Sequence, residues 1–321
     1  MNETDQSSSR DLLVLDVGKT HTKLIRLSEG GHMRQHHQIK SPRLTDGLYP
    51  ALDVDCIYDW FLNAASELPD PDAISDIFTM THGAAFAVVK NDELAFPVMD
   101  YEFSPPAEFC ERYEALRPPF SETKSPRLPQ MLNTGQQLFY QQELAPDRFA
   151  AADMILPLAQ YFAFRFGGRA ASERGALGCH TDLWEPEAGR FSDLAVRNGW
   201  SAKFPPMANA KERVGIVSSI VAAKSGLRRD TAIYSGGHDS NIELAPFLRL
   251  SRTAILATGT WFVAMAPGTS TASVDEERDM LCGVAVDGRA VPTARAMIGR
   301  EFEVLGGDWG DIDIARVLAS R

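Results

Sequence analysis

The chain has 321 residues, 44% of them hydrophobic and 23% charged, with a formal net charge of −11. That length can bury a substantial core and is expected to form two domains; the acidic balance argues against nucleic acid or an anionic membrane surface as partner, though a nucleotide needs only local positive potential. The four cysteines (Cys56, Cys110, Cys179, Cys282) are scattered, with neither a CxxC pair nor zinc-like spacing, the usage of free thiols in a reducing compartment.

The first ten residues, MNETDQSSSR, are polar, lack the apolar run of a secretory signal and are expected to be a disordered tail. The most apolar stretch, 154–166, is too short to span a bilayer and carries Pro157 and Gln160. A cytoplasmic protein is expected. Residues 11–27, DLLVLDVGKTHTKLIRL, run from four apolar residues (Leu12, Leu13, Val14, Leu15) into Asp16, the turn Val17-Gly18-Lys19-Thr20 and a second run: strand, tight turn, strand. Backbone N–H groups of such a turn can point at an anion, and Thr hydroxyls and a Lys ammonium add donors. Asp16 argues for a metal, because a carboxylate beside phosphates is repulsive unless Mg²⁺ or its water lies between them. The turn is not a Walker A loop: it lacks G-x-x-x-x-G-K-[ST], and β residues follow it.

Residues 30–38 carry His32, His36 and His37 without carboxylate or cysteine companions, so a solvated turn region is expected. Residues 55–68 bring Ile57, Trp60, Phe61 and Ala64 to helical spacing and stop at Pro69-Asp70-Pro71. Residues 74–80 read as a strand ending at Thr81-His82-Gly83-Ala84-Ala85, and 86–89 as another. Strand, helix, strand implies an α/β sheet. Residues 117–130, rich in Pro and Ser, read as a surface loop. Segments 133–144 and 153–166 read as helices, 184–189 as a turn, and 216–225 as a helix ended by Gly226. A boundary near residue 230 would divide a tail (1–10) and an N-terminal domain (11–230) from a second domain (231–321).

The segment 232–244, AIYSGGHDSNIEL, is the strongest single site. A strand runs into Ser235-Gly236-Gly237, which permits approaches that side chains would block. His238 and Asp239 follow, and Ser240 and Glu243 have capping-box spacing, so Asp239 is expected at a helix N-terminus. Asp239 is then either a cap or a residue that a ligand approaches. Residues 253–265 repeat the hairpin grammar around Thr258-Gly259-Thr260, with Trp261 beyond. Two Gly/Thr hairpins, one in each half, suggest a phosphate gripped from both sides.

In this order DVGKTHTK, THGAAF, GCHTDLW, SGGHDSN and ATGTW resemble the FGGY carbohydrate kinases, closest to the rhamnulokinase, fuculokinase and xylulokinase type, over residues 11–305. The resemblance implies an α/β fold of two actin-like, ribonuclease-H-like domains, with a sugar and ATP in the cleft between them. It implies that Asp16, Gly18, Lys19 and Thr20 form the first phosphate site and Thr258, Gly259 and Thr260 the second. Asp239 would be the general base on a sugar hydroxyl. His82, in the turn matching M-H-G, and Asp100, in Val98-Met99-Asp100-Tyr101-Glu102, would contact the sugar together with Asp239, and Mg²⁺ would lie near Asp16 and Asp239. Lys19 and His21 stand where small hydroxyl residues are frequent. The family's adenosine-binding turn normally lies beyond Arg321, and Gly306-Gly307-Asp308-Trp309-Gly310 reads as a loop before a final helix, so the second domain is expected to be incomplete. The implied function is ATP-dependent phosphorylation of a ketose such as L-fuculose, L-rhamnulose or xylulose. The alternatives are a degenerate sugar-binding or regulatory relative, or another actin-like ATPase. ATP and Mg²⁺ are the expected cofactors, sugar and ATP the expected small-molecule partners, with no nucleic acid, no membrane, and a homodimer left open.

Overall fold

The structure, a computed structural model, describes residues 10–250, 253–258, 262–296 and 298. Strands β1 (Asp11–Val17) and β2 (His21–Leu27) form the expected hairpin, pairing Asp16 with Lys23 and Val17 with Thr22, and β3 (Met33–Lys40) continues it antiparallel. Helix α1 (Val54–Ser66), capped by Asp53, whose carboxylate accepts the Cys56 N–H at 3.0 Å, carries the chain back to β4 (Ile74–Thr81), parallel to β1. Strands β5 (Phe86–Lys90) and β6 (Met154–Pro157) pair in a smaller sheet, with helix α2 (Thr134–Leu144) between them in sequence and α3 (Leu158–Phe166) following β6.

The main sheet is completed by β7 (Arg213–Ile216) and, after helix α4 (Ser219–Ser225), by β8 (Ala232–Tyr234) and β9 (Gly237–His238). Its order is β7-β8-β4-β1-β2-β3, with β9 rejoining the edge of β4 beyond a bend. Helix α5 (Asp239–Leu244) leaves directly from β9. A separate four-stranded antiparallel sheet holds β10 (Ile255–Thr258), β11 (Phe262–Met265), β12 (Met280–Val284) and β13 (Ala290–Ala296), in the order β10-β11-β13-β12.

The larger core packs α1, α3 and α4 against the main sheet. Leu13, Leu15, Phe61 and Phe166 are fully buried there, and the Phe61 and Phe166 rings meet with centroids 4.5 Å apart. Each such side chain is worth roughly 1.5–3 kcal/mol of burial. Among the described residues no helix is long and apolar enough to cross a membrane.

Three expectations are corrected. Residues 33–40 are a strand, not a turn region: β3 is an edge whose side chains are mostly open to water, so polar residues and histidines alternate on it without an apolar face. The segment 153–166 is a strand broken from its helix at Pro157, because β6 pairs with β5 before the chain turns helical. Four residues of the expected 117–130 loop, Phe120–Thr123, form a helical turn. The strand expected to open the second domain, β8, lies within the first sheet, and the next sheet follows α5. The tail at 1–9 and the segment 306–310 lie outside the described residues.

The bend between β8 and β9 depends on Gly236, at φ +72°, where an added Cβ would sit 2.0 Å from the Thr79 carbonyl oxygen. Gly236→Ala is expected to cost on the order of 2–5 kcal/mol, from a left-handed alanine and a displaced central strand. Thermal unfolding checks this, and an unchanged melting temperature would refute it.

Candidate active site

The carboxyl ends of three parallel strands meet at one edge of the main sheet. Val17 of β1 is opposite Thr81 of β4, and Thr81 is opposite His238 of β9. Lys19, His82 and Asp239 follow these positions by one or two residues, and all three line a cavity of about 460 Å³. Beside them are Tyr101, Cys179 and His180, with Val263 and Arg295 closing the far wall from the second sheet. A sheet places ligands at this end because the chain leaves each strand there in a loop.

Asp239 is the first residue of α5. Its Oδ1 accepts the Ser240 N–H at 2.6 Å and the Ser240 hydroxyl at 3.2 Å, and His238 Nε2 stands 3.1 Å away. Helix N-terminus and aspartate are as expected, but the capping box does not form: His238 is the N-cap and Ser240 turns back to Asp239. His82 donates its backbone N–H to the Val17 carbonyl at 2.9 Å, and its Nδ1 lies 2.7 Å from the Gly83 carbonyl, so Nδ1 carries the proton and Nε2 is an acceptor. Burial pushes this ring below the ordinary histidine value, against the opposing pull of the Gly83 carbonyl and Asp239.

The first turn is tight. Gly18 N–H bonds the His21 carbonyl at 3.0 Å, and an added Cβ on Gly18 would lie 2.8 Å from that oxygen. Ser41 holds the turn from β3's end, donating to the Gly18 carbonyl at 2.7 Å. Asp16 accepts from Lys23 at 3.0 Å, while Thr20 is exposed. Glu243 of α5 faces the same acids: burial first, then the negative charges of Asp239 and Asp16, push its carboxyl above the usual range. Negative potential of that kind fits a hard cation, and Asp16 and Asp239 are carboxylates of the type Mg²⁺ takes.

Of the expected site residues among those described, Lys19, His82 and Asp239 line the cavity, whereas Asp16, Gly18, Thr20, Asp100 and Thr258 do not. Asp100 does not line the cavity but lies behind it, receiving Lys19 Nζ, the Glu102 N–H at 2.9 Å and Arg43 Nη1 at 3.3 Å. Burial would raise its pKa, yet Lys19 and the other donors hold it below the usual carboxylate value. Lys19 therefore faces the cavity, with its ammonium tied to the Asp100 segment. Thr258 is exposed at the end of β10, whereas Gly259 and Thr260 lie outside the described residues.

Cys179 and His180 are unforeseen as cavity residues. Cys179 Sγ is 3.6 Å from His238 Nε2, in a contact spanning 59 residues. Burial would raise the thiol, but the charges of His180 and His238 hold it down to about 5; burial would lower His238, but Cys179 and Asp239 hold it up to about 10. The GCHTDLW segment was the signal available, though nothing local pairs its cysteine with a histidine so far along the chain.

The family's N-terminal model, "FGGY family of carbohydrate kinases, N-terminal domain", matches residues 12–244, and "Carbohydrate kinase FGGY, C-terminal domain" matches 251–318. A carbohydrate kinase from Novosphingobium aromaticivorans is 39% identical with a TM-score of 0.90, over 96% of this chain and 68% of that one. Gluconate kinase from Lactobacillus acidophilus (16% identical, TM-score 0.76, 95% and 63% covered) and xylulose kinase from Rhodospirillum rubrum (15%, 0.76, 97% and 66%) share the fold. No curated protein matches the chain. The chain thus belongs to the FGGY family of carbohydrate kinases and has their actin-like α/β fold, spanning roughly two thirds of the length of these structures.

A lowered thiol pKa has a direct signature. The ultraviolet thiolate absorbance of the wild type minus that of Cys179→Ser is expected to be present at neutral pH and lost as pH falls toward about 5. Absorbance that appears only above about pH 8.5, where an ordinary thiol ionises, would refute the assignment.

Proposed function

We propose that the chain takes part in Mg²⁺- and ATP-dependent phosphorylation of a sugar hydroxyl, with Asp239 as the general base. The observation that carries this reading is the Asp239 carboxylate on the cavity wall, fixed by Ser240 and His238 in the same pocket as His82. A hydroxyl lying against Asp239 can pass its proton to the carboxylate as the oxygen bonds to the γ-phosphorus and the bond to ADP breaks. In a loose transition state the proton moves late, so Asp239 does not need an unusual basicity. His82 Nε2, an acceptor, is suited to receive a neighbouring sugar hydroxyl.

Asp16 and Asp239 are the proposed holders of Mg²⁺, which supplies charge compensation to the phosphate oxygens. The first turn, with Gly18 and exposed Thr20, is the proposed phosphate contact on one side, and Thr258, Gly259 and Thr260 on the other. A sugar enclosed between the two sheets would be shielded from water, which suppresses wasteful hydrolysis of ATP. The substrate proposed is a ketose such as L-fuculose, L-rhamnulose or xylulose. Solved structures of this fold include a xylulose kinase and a gluconate kinase, so the aldonate belongs in the test as well.

ADP release with Mg–ATP is to be measured across L-fuculose, L-rhamnulose, xylulose, ribulose, glycerol and gluconate. Sugar-dependent release is expected, falling about 10³-fold in Asp239→Asn while calorimetric sugar binding persists. Near-normal turnover in that variant would sink the base assignment. Sugar binding without release in the wild type would instead favour a binding role.

A further inference from the structure

Lys19 sits in a phosphate motif, yet its ammonium is built into the wall of the cavity that holds His82 and Asp239. Nζ donates to Asp100 Oδ1, lies 3.4 Å from Glu102 Oε2, and stands 4.0 Å from the centre of the Tyr101 ring. The Glu102 N–H also donates to Asp100 Oδ1 and Arg43 pairs with Oδ2, so the anchor itself is fixed. The charge of Lys19 also reaches His82, where it opposes protonation of the ring. Lys23, the other lysine of the hairpin, bonds Asp16 at 3.0 Å and bears on Glu243. One hairpin thus sends its two lysines to opposite ends of the site.

An ammonium has three protons to donate. One is given to Asp100, and Glu102 is an ion-pair partner at 3.4 Å, so donor capacity remains on the cavity side, over the face of Tyr101. Resting on the kinase reading above, the geometry points to Lys19 as a sugar-binding, specificity-determining residue that donates to a substrate oxygen beside His82, rather than as a phosphate ligand. Two carboxylates and an aromatic face make this donor stiff. A sugar whose oxygen meets it is accepted, whereas an epimer with that hydroxyl turned away leaves a desolvated ammonium proton without a partner and is rejected. Asp100, implied by the family resemblance to touch the sugar, acts here through Lys19 as a positioning residue.

Calorimetry on the full chain tests this, using Lys19→Met, which keeps the length of the side chain and removes its donors. The probes are the sugars named above and, separately, Mg–ADP. The dissociation constant of the sugar bound by the wild type is expected to rise about tenfold or more, that of Mg–ADP by less than about twofold. A merely structural role would weaken every analogue equally. Deoxy analogues of the bound sugar therefore form the second arm: the one lacking the hydroxyl that meets Lys19 is expected to show no further loss in Lys19→Met. A weakened Mg–ADP with unchanged sugar binding, or an equal penalty across all deoxy analogues, would overturn the assignment. If Lys19→Met does not fold, Lys19→Gln is read by the same criteria. A wild type that binds sugar but releases no ADP would defeat the kinase reading alone and leave the Lys19 assignment to be decided by these ratios. A wild type that binds Mg–ADP but none of the sugars would defeat both.

Discussion

The site depends on one register: Val17, Thr81 and His238 lie side by side at the ends of three parallel strands. Each chain segment leaves its strand within two residues of that line, so Lys19, His82 and Asp239 converge without any long loop having to find its place. The third member of the row is the costly one. Strand β8 must leave the sheet and return as β9, and the bend at Ser235-Gly236 exposes carbonyl oxygens in the interior. Gln160, buried on α3, answers this by donating its amide to the Ser235 carbonyl at 3.0 Å and the Gly236 carbonyl at 2.9 Å. Buried backbone acceptors are thereby satisfied, and Asp239 is held by the sheet rather than by its own short helix.

Charge in the site is divided by position along the first hairpin. At the Asp16 end, carboxylates gather: the charges of Asp239 and Asp16 both bear on Glu243, with Lys23 as the nearby cation. At the Tyr101 end, Lys19 and Arg43 balance Asp100 and Glu102. The first arrangement keeps a local excess of negative charge, which favours a divalent cation and its phosphates. The second is close to neutral and hydrogen-bonded, the environment in which hydroxyl groups are told apart by donor geometry. The chain's overall charge of −11 says nothing about this division, which rests on single side chains.

What could be read from the sequence was local. The β1–β2 hairpin, β4 and the SGGHD bend each combine an apolar run with a glycine turn, and each formed as the pattern required. The edge strand β3 was illegible because neither of its faces is fully buried, so its polarity resembles that of a loop. The partner of Asp100 was illegible for another reason: an acid before an aromatic residue announces a charge, but not the lysine 81 positions earlier that pairs with it. Similarly, Cys179 meets His238 only because the end of β9 and the GCHTD turn come together, a relation with no periodic trace in the chain.

Gly83 joins these long-range partners. Its backbone does not need the left-handed region, yet a Cβ there would fall 2.9 Å from both Cys179 Sγ and His238 Nε2. The glycine is thus a requirement of space: a thiol from one segment and an imidazole from another occupy the volume a side chain would fill. With that volume free, Sγ and Nε2 approach to 3.6 Å, and their opposite charges offset part of the cost of removing both from water. The same imidazole nitrogen stands 3.1 Å from Asp239, so a methyl group at position 83 would disturb the proposed base without touching it. The glycine of THGAAF therefore acts on Asp239 across three segments of chain, by what it leaves out.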